Sequence, residues 1–204
     1  FTAWGLAPKM VAERAALYVA DPINLTASFT YPATSLVSYL FQRVPGQFYE
    51  WQCLAGLDIL FLACIAPAAA MPRKNWAGAV LVFAAGFLLP FFFSVVPAGT
   101  PSTIYANAMA DTPLALLFGG TLCLYAAAGG RKTGFFACAM PLAVLTMTKD
   151  IGFAYALIVT FLIGLDQLFG TPHPDTKPAR IFGVSLAKCS ILAAVVLAVF
   201  ISWN

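Results

Sequence analysis

From residue 49 onward the chain is a succession of apolar runs closed by short polar clusters, at 49–71, 76–98, 112–129, 134–148, 151–169 and 181–203. An α-helix needs about 20 predominantly apolar residues to cross roughly 30 Å of hydrocarbon, and most of these runs approach that length. The pattern predicts an all-α fold, a polytopic bundle of six membrane-spanning helices. Run 134–148 is short for a crossing. A tilted, kinked or partly re-entrant helix is expected there, or one that extends past Lys149.

Residues 1–48 read differently. They are less apolar and carry APK, DP, YP and VPG, where proline removes an amide donor and restricts its neighbour. Two short amphipathic helices fit, at 8–19 and 34–41, lying in the membrane interface rather than crossing it. The expected organisation is an external, interfacial region 1–48 followed by a transmembrane bundle 49–204. The start FTAWGLAPKM and the end ILAAVVLAVFISWN lead us to expect a chain that continues beyond both.

Composition strengthens the membrane reading, since 61% of the residues are hydrophobic and 9% charged. Soluble domains hold about half apolar and a quarter charged residues. The few cations also orient the chain. Arg73 and Lys74, Arg131 and Lys132, and Lys177 and Arg180 fall in alternate connections, which the preference of cytoplasmic loops for Lys and Arg assigns to the cytoplasm. Segments 99–111 and 146–150 then face outward, together with the N-terminal region, although that region contains Lys9, Arg14 and Arg43. The formal charge of +3 follows this topology and gives no support for a nucleic-acid partner.

Soluble-enzyme signatures are missing from the sequence. Cys53, Cys64, Cys123, Cys138 and Cys189 all sit in apolar runs without redox or metal-ligand spacing, so they read as small core residues. His173 stands alone between prolines, and the GG pairs at 119–120 and 129–130 lack the lysine and strand of a phosphate loop. The acids carry more information, because a charge at the centre of a membrane helix costs about 2.5–3.5 kcal/mol on insertion scales. Asp58 lies well inside the first run; it fits a polar contact below an external site, but pairing with a neighbouring helix or access to interfacial water is the preferred expectation. Asp166 lies near a cytoplasmic helix end, where water suffices. Asp111 heads its run and, with Pro113 in the first turn, fits a helix cap.

The order WGLAPK, FTYPATSLVSYLF, GQFYEW, YANAMADTPLALLF and LTMTKDIGF resembles the GT-C class of integral-membrane glycosyltransferases, the superfamily of protein O-mannosyltransferases and lipid A aminoarabinose transferases. The resemblance covers most of residues 1–165. It implies transfer of a sugar from a polyprenyl-phosphate-linked donor to an acceptor at the external membrane face, with membrane lipids as surroundings. Such a donor brings its own leaving group and needs no nucleotide-binding loop. The resemblance also implies that the catalytic base, an acid of the first external loop, lies upstream of Phe1. Tyr31 and Pro32 match the start of an interfacial helix, with Ala33 where relatives often have a second proline. Asp111 matches the acid of the A-D-x-P-L helix start beside the cavity. Lys149 matches the T-K motif, which implies that it neutralises lipid phosphate as the leaving group gains charge; by its position alone it equally fits an interfacial lysine that snorkels or pairs with Asp150 or Asp111. Metal dependence varies across the superfamily, which leaves a divalent cation open as a cofactor. Glu13, Asp21 and Glu50 are further external carboxylates, but Asp21–Pro22 fits a turn and Glu13 fits an ion pair with Lys9. A bacterial cytoplasmic membrane suits this lipid chemistry. A transporter or flippase is the main competing function, followed by a structural membrane subunit, though no internal repeat of the kind many transporters carry is visible.

Overall fold

The computed structural model describes residues 3–14, 32–43, 47–71, 75–92, 110–128, 132–169 and 178–203. These form nine helices: α1 Ala3–Arg14, α2 Pro32–Gln42, α3 Glu50–Ala70, α4 Trp76–Phe92, α5 Asp111–Ala127, α6 Lys132–Ala137, α7 Ala139–Thr146, α8 Gly152–Phe169 and α9 Pro178–Trp203. Among the described residues there is no strand, as the all-α reading expects. The chain divides into two compact units, Phe1–Leu116 and Leu117–Asn204.

In the first unit α2 and α3 pack closely enough that a Cβ on Gly56 would come within 2.7 Å of the Phe41 ring. Glycine at that position lets the two helices approach. The core continues along α3 through Cys53, Leu57, Phe61 and Ile65, and Met10 and Val11 of α1 are buried as well. Helix α2 begins at Pro32 rather than at Thr34. Proline suits a first helical position, where no amide donor is needed and its fixed φ already matches the helix. The described part of α1 begins five residues before the expected start, with Pro8 inside it. Residues 15–19 of the expected 8–19 helix lie outside the described residues.

In the second unit the helix directions follow from three side-chain contacts. Phe118 of α5 meets Tyr155 near the start of α8, with ring centroids 5.5 Å apart. Tyr125, near the end of α5, donates to Asp166 near the end of α8 at 2.8 Å. Helices α5 and α8 therefore run the same way. Phe153 at the start of α8 stacks on Phe200 at the end of α9 at 4.2 Å, which makes α8 and α9 antiparallel. Phe135, Leu142, Leu145, Val159, Ile163, Leu192 and Val196 fill the core between α6, α7, α8 and α9.

The short run 134–148 is two helices, α6 and α7, separated at Cys138. Pro141 explains the break: without an amide hydrogen it cannot bond to the carbonyl four residues back, that of Ala137. The amide of Cys138 accordingly reaches both the Gly134 and Phe135 carbonyls, at 3.3 and 3.2 Å.

Among the described residues, three helical segments are long and apolar enough to cross a membrane: Glu50–Ala70, Gly152–Phe169 and Phe182–Trp203. Trp76–Leu88, Asp111–Ala127 and Gly134–Thr146 are shorter apolar segments. Six full-length spans are therefore not what the described residues contain. The 17 residues of α5 extend about 26 Å at 1.5 Å each, somewhat less than the hydrocarbon thickness. Apolar side chains also cover the outside, among them Trp76, Leu81, Met140, Phe161, Phe182 and Ile201. Outward faces of this kind suit lipid as the surrounding solvent.

Candidate functional site

Of the residues singled out by the glycosyltransferase resemblance, Tyr31 lies outside the described residues, as do Asp21 and His173. Asp111 is an exposed residue in the first turn of α5. Fully buried Ala110 accepts the Leu114 amide at 3.0 Å, so the cap position falls on Ala110 and Asp111 is the first helical residue. A carboxylate there still benefits from the positive end of the helix dipole. Lys149 is half-buried in the turn between α7 and α8, where its carbonyl accepts the Gly152 amide at 2.8 Å. The two threonines of the same TMTK stretch turn inward. Thr146 donates to the Leu142 carbonyl at 2.8 Å and Thr148 to the Val144 carbonyl at 2.7 Å. Asp111 belongs to the first unit and Lys149 to the second.

Within the first unit a polar hollow of about 290 Å³ is lined by Glu13, Tyr39, Gln42, Arg43, Gln47 and Phe48, together with Ala12. Arg43 donates to the Tyr39 hydroxyl at 3.3 Å and lies 5.8 Å from the centre of that ring. Glu13 faces Lys9 at 3.9 Å, the exposed ion pair expected one helical turn apart. Gln42 forms the hollow's anchored wall. Its amide nitrogen donates to the Tyr49 carbonyl at 2.6 Å and to the Cys53 thiol at 3.2 Å, while its oxygen accepts the Tyr49 amide at 2.8 Å. A carboxylate, a guanidinium, a phenol and two glutamine amides thus border one recess, a set of groups able to hydrogen-bond a polyhydroxylated ligand.

A second polar cluster joins four helices of the other unit. The Tyr125 hydroxyl donates to Asp166 and accepts from the Gln167 amide. Lys188 of α9 donates to the Gln167 oxygen at 2.8 Å, and its ammonium lies 5.7 Å from the centre of the Phe135 ring. Ser185 donates to the Gln167 carbonyl at 3.3 Å. Tyr125, Gln167 and Ser185 are buried and Asp166 is exposed. Water at the helix end therefore reaches the carboxylate, while the neutral groups lock the helices. Lys149 precedes α8 and this cluster sits near its other end, about 25 Å away along an 18-residue helix.

Asp58 departs from expectation. It is half-buried in the middle of α3, and its Oδ1 is buried without a hydrogen-bond partner among the described residues. The expected pairing with a neighbouring helix is not made by that atom. All five cysteines are free thiols; Cys53 and Cys138 are buried core residues as expected, whereas Cys64, Cys123 and Cys189 are half-buried. Among the described residues no three His, Cys, Asp or Glu side chains gather as a metal site would require. Gln42 and Gln167, the hubs of the two polar clusters, were not singled out from sequence. The available signal was a glutamine placed inside, or at the close of, an otherwise apolar helical run.

No protein-family model, curated protein or solved structure matches the chain.

Proposed function

We propose that the chain is part of a GT-C-like membrane glycosyltransferase, which moves a sugar from a polyprenyl-phosphate-linked donor to an acceptor outside the membrane. The observation that carries the reading is the recess bordered by Glu13, Tyr39, Gln42 and Arg43. It concentrates polar groups in a chain with very few of them, within the N-terminal region that charge alternation assigns to the exterior. In this reading α1 and α2 lie at the interface, the shorter apolar helices complete a six-span bundle, and the membrane is the bacterial cytoplasmic one. Lys149 neutralises the departing lipid phosphate, and Asp111 and Tyr31 are the further candidates for the donor site.

Transfer from a radiolabelled polyprenyl-phosphate sugar by the full-length protein in liposomes tests the proposal. Lys149→Ala and Asp111→Asn are expected to lower turnover at least tenfold without loss of folded protein. Unchanged transfer in both variants would reject these roles, and an inactive full-length protein across several polyprenyl donors would reject the reaction class.

One observation favours a transporter as the second reading, namely the buried, unpartnered oxygen of Asp58 in the middle of α3. Ionisable groups at such depth mark ion and substrate pathways in many membrane proteins. Solute uptake abolished by Asp58→Asn, alongside undetectable sugar transfer, would establish this alternative.

A further inference from the structure

The recess bordered by Glu13, Tyr39, Arg43, Gln47 and Phe48 holds about 290 Å³, just under the roughly 300–1,000 Å³ of most small-molecule pockets. That is room for one ring-sized ligand. Its two charged lining residues, Glu13 and Arg43, carry opposite signs, and each already has a counterweight of its own. Lys9 stands 3.9 Å from Glu13, one turn back along α1. Arg43 follows the last residue of α2, where the terminal carbonyls of a helix carry partial negative charge. It also donates to the Tyr39 hydroxyl at 3.3 Å and lies against the electron-rich face of that ring, 5.8 Å from its centre.

These offsets decide which ligand the recess can favour. An anion drawn to Arg43 and Lys9 meets Glu13 and the carbonyl end of α2, while a cation drawn to Glu13 and those carbonyls meets Arg43 and Lys9. Either gains little net attraction for the water it sheds, and an uncompensated charge is costly to desolvate. A neutral hydroxyl loses far less. The polar lining matches hydroxyls on both sides: Glu13 only accepts, Arg43 only donates, and Tyr39 and Gln47 do both. Phe48 adds an apolar ring surface for the carbon face of a pyranose. We propose that this recess binds a single uncharged pyranose and selects it over amino sugars and sugar acids of the same size. The proposal deepens the transferase reading, on which it rests for calling the ligand a sugar.

The test titrates the full-length protein in detergent with the methyl glycoside, the amino sugar and the uronic acid of glucose, mannose and galactose, followed by ligand-observed NMR under mildly acidic conditions that keep the amino sugars charged. In at least one series the methyl glycoside should bind at least fivefold more tightly than both charged members. Glu13→Gln removes the anion of the recess and should raise the affinity of the uronic acid relative to the glycoside at least fivefold. Arg43→Gln should do the same for the amino sugar. Ala12→Trp, which fills the recess, should abolish binding; should it misfold, the two charge variants at exposed positions still decide. Charged sugars bound as tightly as the neutral one, no binding in any series, ratios unmoved by both charge variants, or binding that survives in a folded Ala12→Trp protein each overturn the proposal. Transfer is measured separately. Selective binding of the neutral sugar without transfer from any polyprenyl donor would reject the transferase and keep the site, whereas transfer without this selectivity would do the reverse.

Discussion

Replacing Gln167 with leucine keeps most of the side-chain volume and removes both polar ends of the hub that ties α5, α8 and α9. The two lost bonds are unequal. Tyr125 still donates to Asp166 at 2.8 Å, so its hydroxyl loses only an incoming bond. Lys188 loses the acceptor that holds its half-buried ammonium at 2.8 Å. Bonds to charged groups contribute about 1.5–3 kcal/mol in soluble proteins, whereas interhelical polar bonds measured in a membrane protein average about 0.6 and reach about 1.7 kcal/mol. Lys188 can move part of the way towards water, which places this case nearer the membrane values. Gln167→Leu should therefore destabilise the full chain by about 1–2 kcal/mol, read from reversible SDS unfolding in mixed micelles. Adding Lys188→Met removes the stranded charge. The double variant should be less destabilised than the sum of the single variants by about 1 kcal/mol. A single-variant effect below about 0.3 kcal/mol, or strict additivity in the cycle, would refute a coupled hub.

Gly164→Ala should cost about 1–3 kcal/mol by forcing α8 and α9 apart at the Cys189 sulfur, and Cys189→Ala should recover part of that loss in the same unfolding assay. Gln42→Ala leaves the Tyr49 amide and carbonyl without their side-chain partner and should destabilise by about 1–3 kcal/mol. Faster proteolysis between α2 and α3 would report it. Asp58→Leu should raise the membrane-inserted fraction of an α3 segment in a glycosylation-mapping assay, by the equivalent of about 3 kcal/mol at the helix centre. In the full chain it should be neutral or stabilising, and a clear loss of stability would mean that Asp58 has a partner.

The ends of α3 and α8 and the start of α9 were legible because apolar runs there begin or stop at proline, glycine and charged residues, signals that act locally. The interruption at Cys138 was foreshadowed by the shortness of its run, and Pro141 supplies the reason. Whether a run spans the membrane was less legible, since composition alone does not tell an apolar 17-residue helix from a longer one whose ends are polar. Asp166 fits its expected place at a solvated helix end, but its bond to Tyr125 depends on α5 and α8 lying side by side. That adjacency has no local sequence signal. The same is true of Gln42 and Gln167: hydropathy registers each as one mildly polar residue, while its effect comes from what the fold sets opposite its two-ended amide. Asp58 shows the converse. Its depth in a run was plain from the sequence, whereas its unmet oxygen appears only after the neighbouring helices are placed.

Gln42 holds the backbone of Tyr49 by an amide that both gives and receives, much as one residue of a β-ladder holds another. Such a clasp carries no charge and does not titrate over any physiological range. Salt acts on the charged rim formed by Glu13 and Arg43, yet it leaves this junction between α2 and α3 intact. The recess beside it thus has a wall indifferent to ionic conditions, so a pH or salt dependence of ligand binding there would report the ligand and the charged rim rather than the frame.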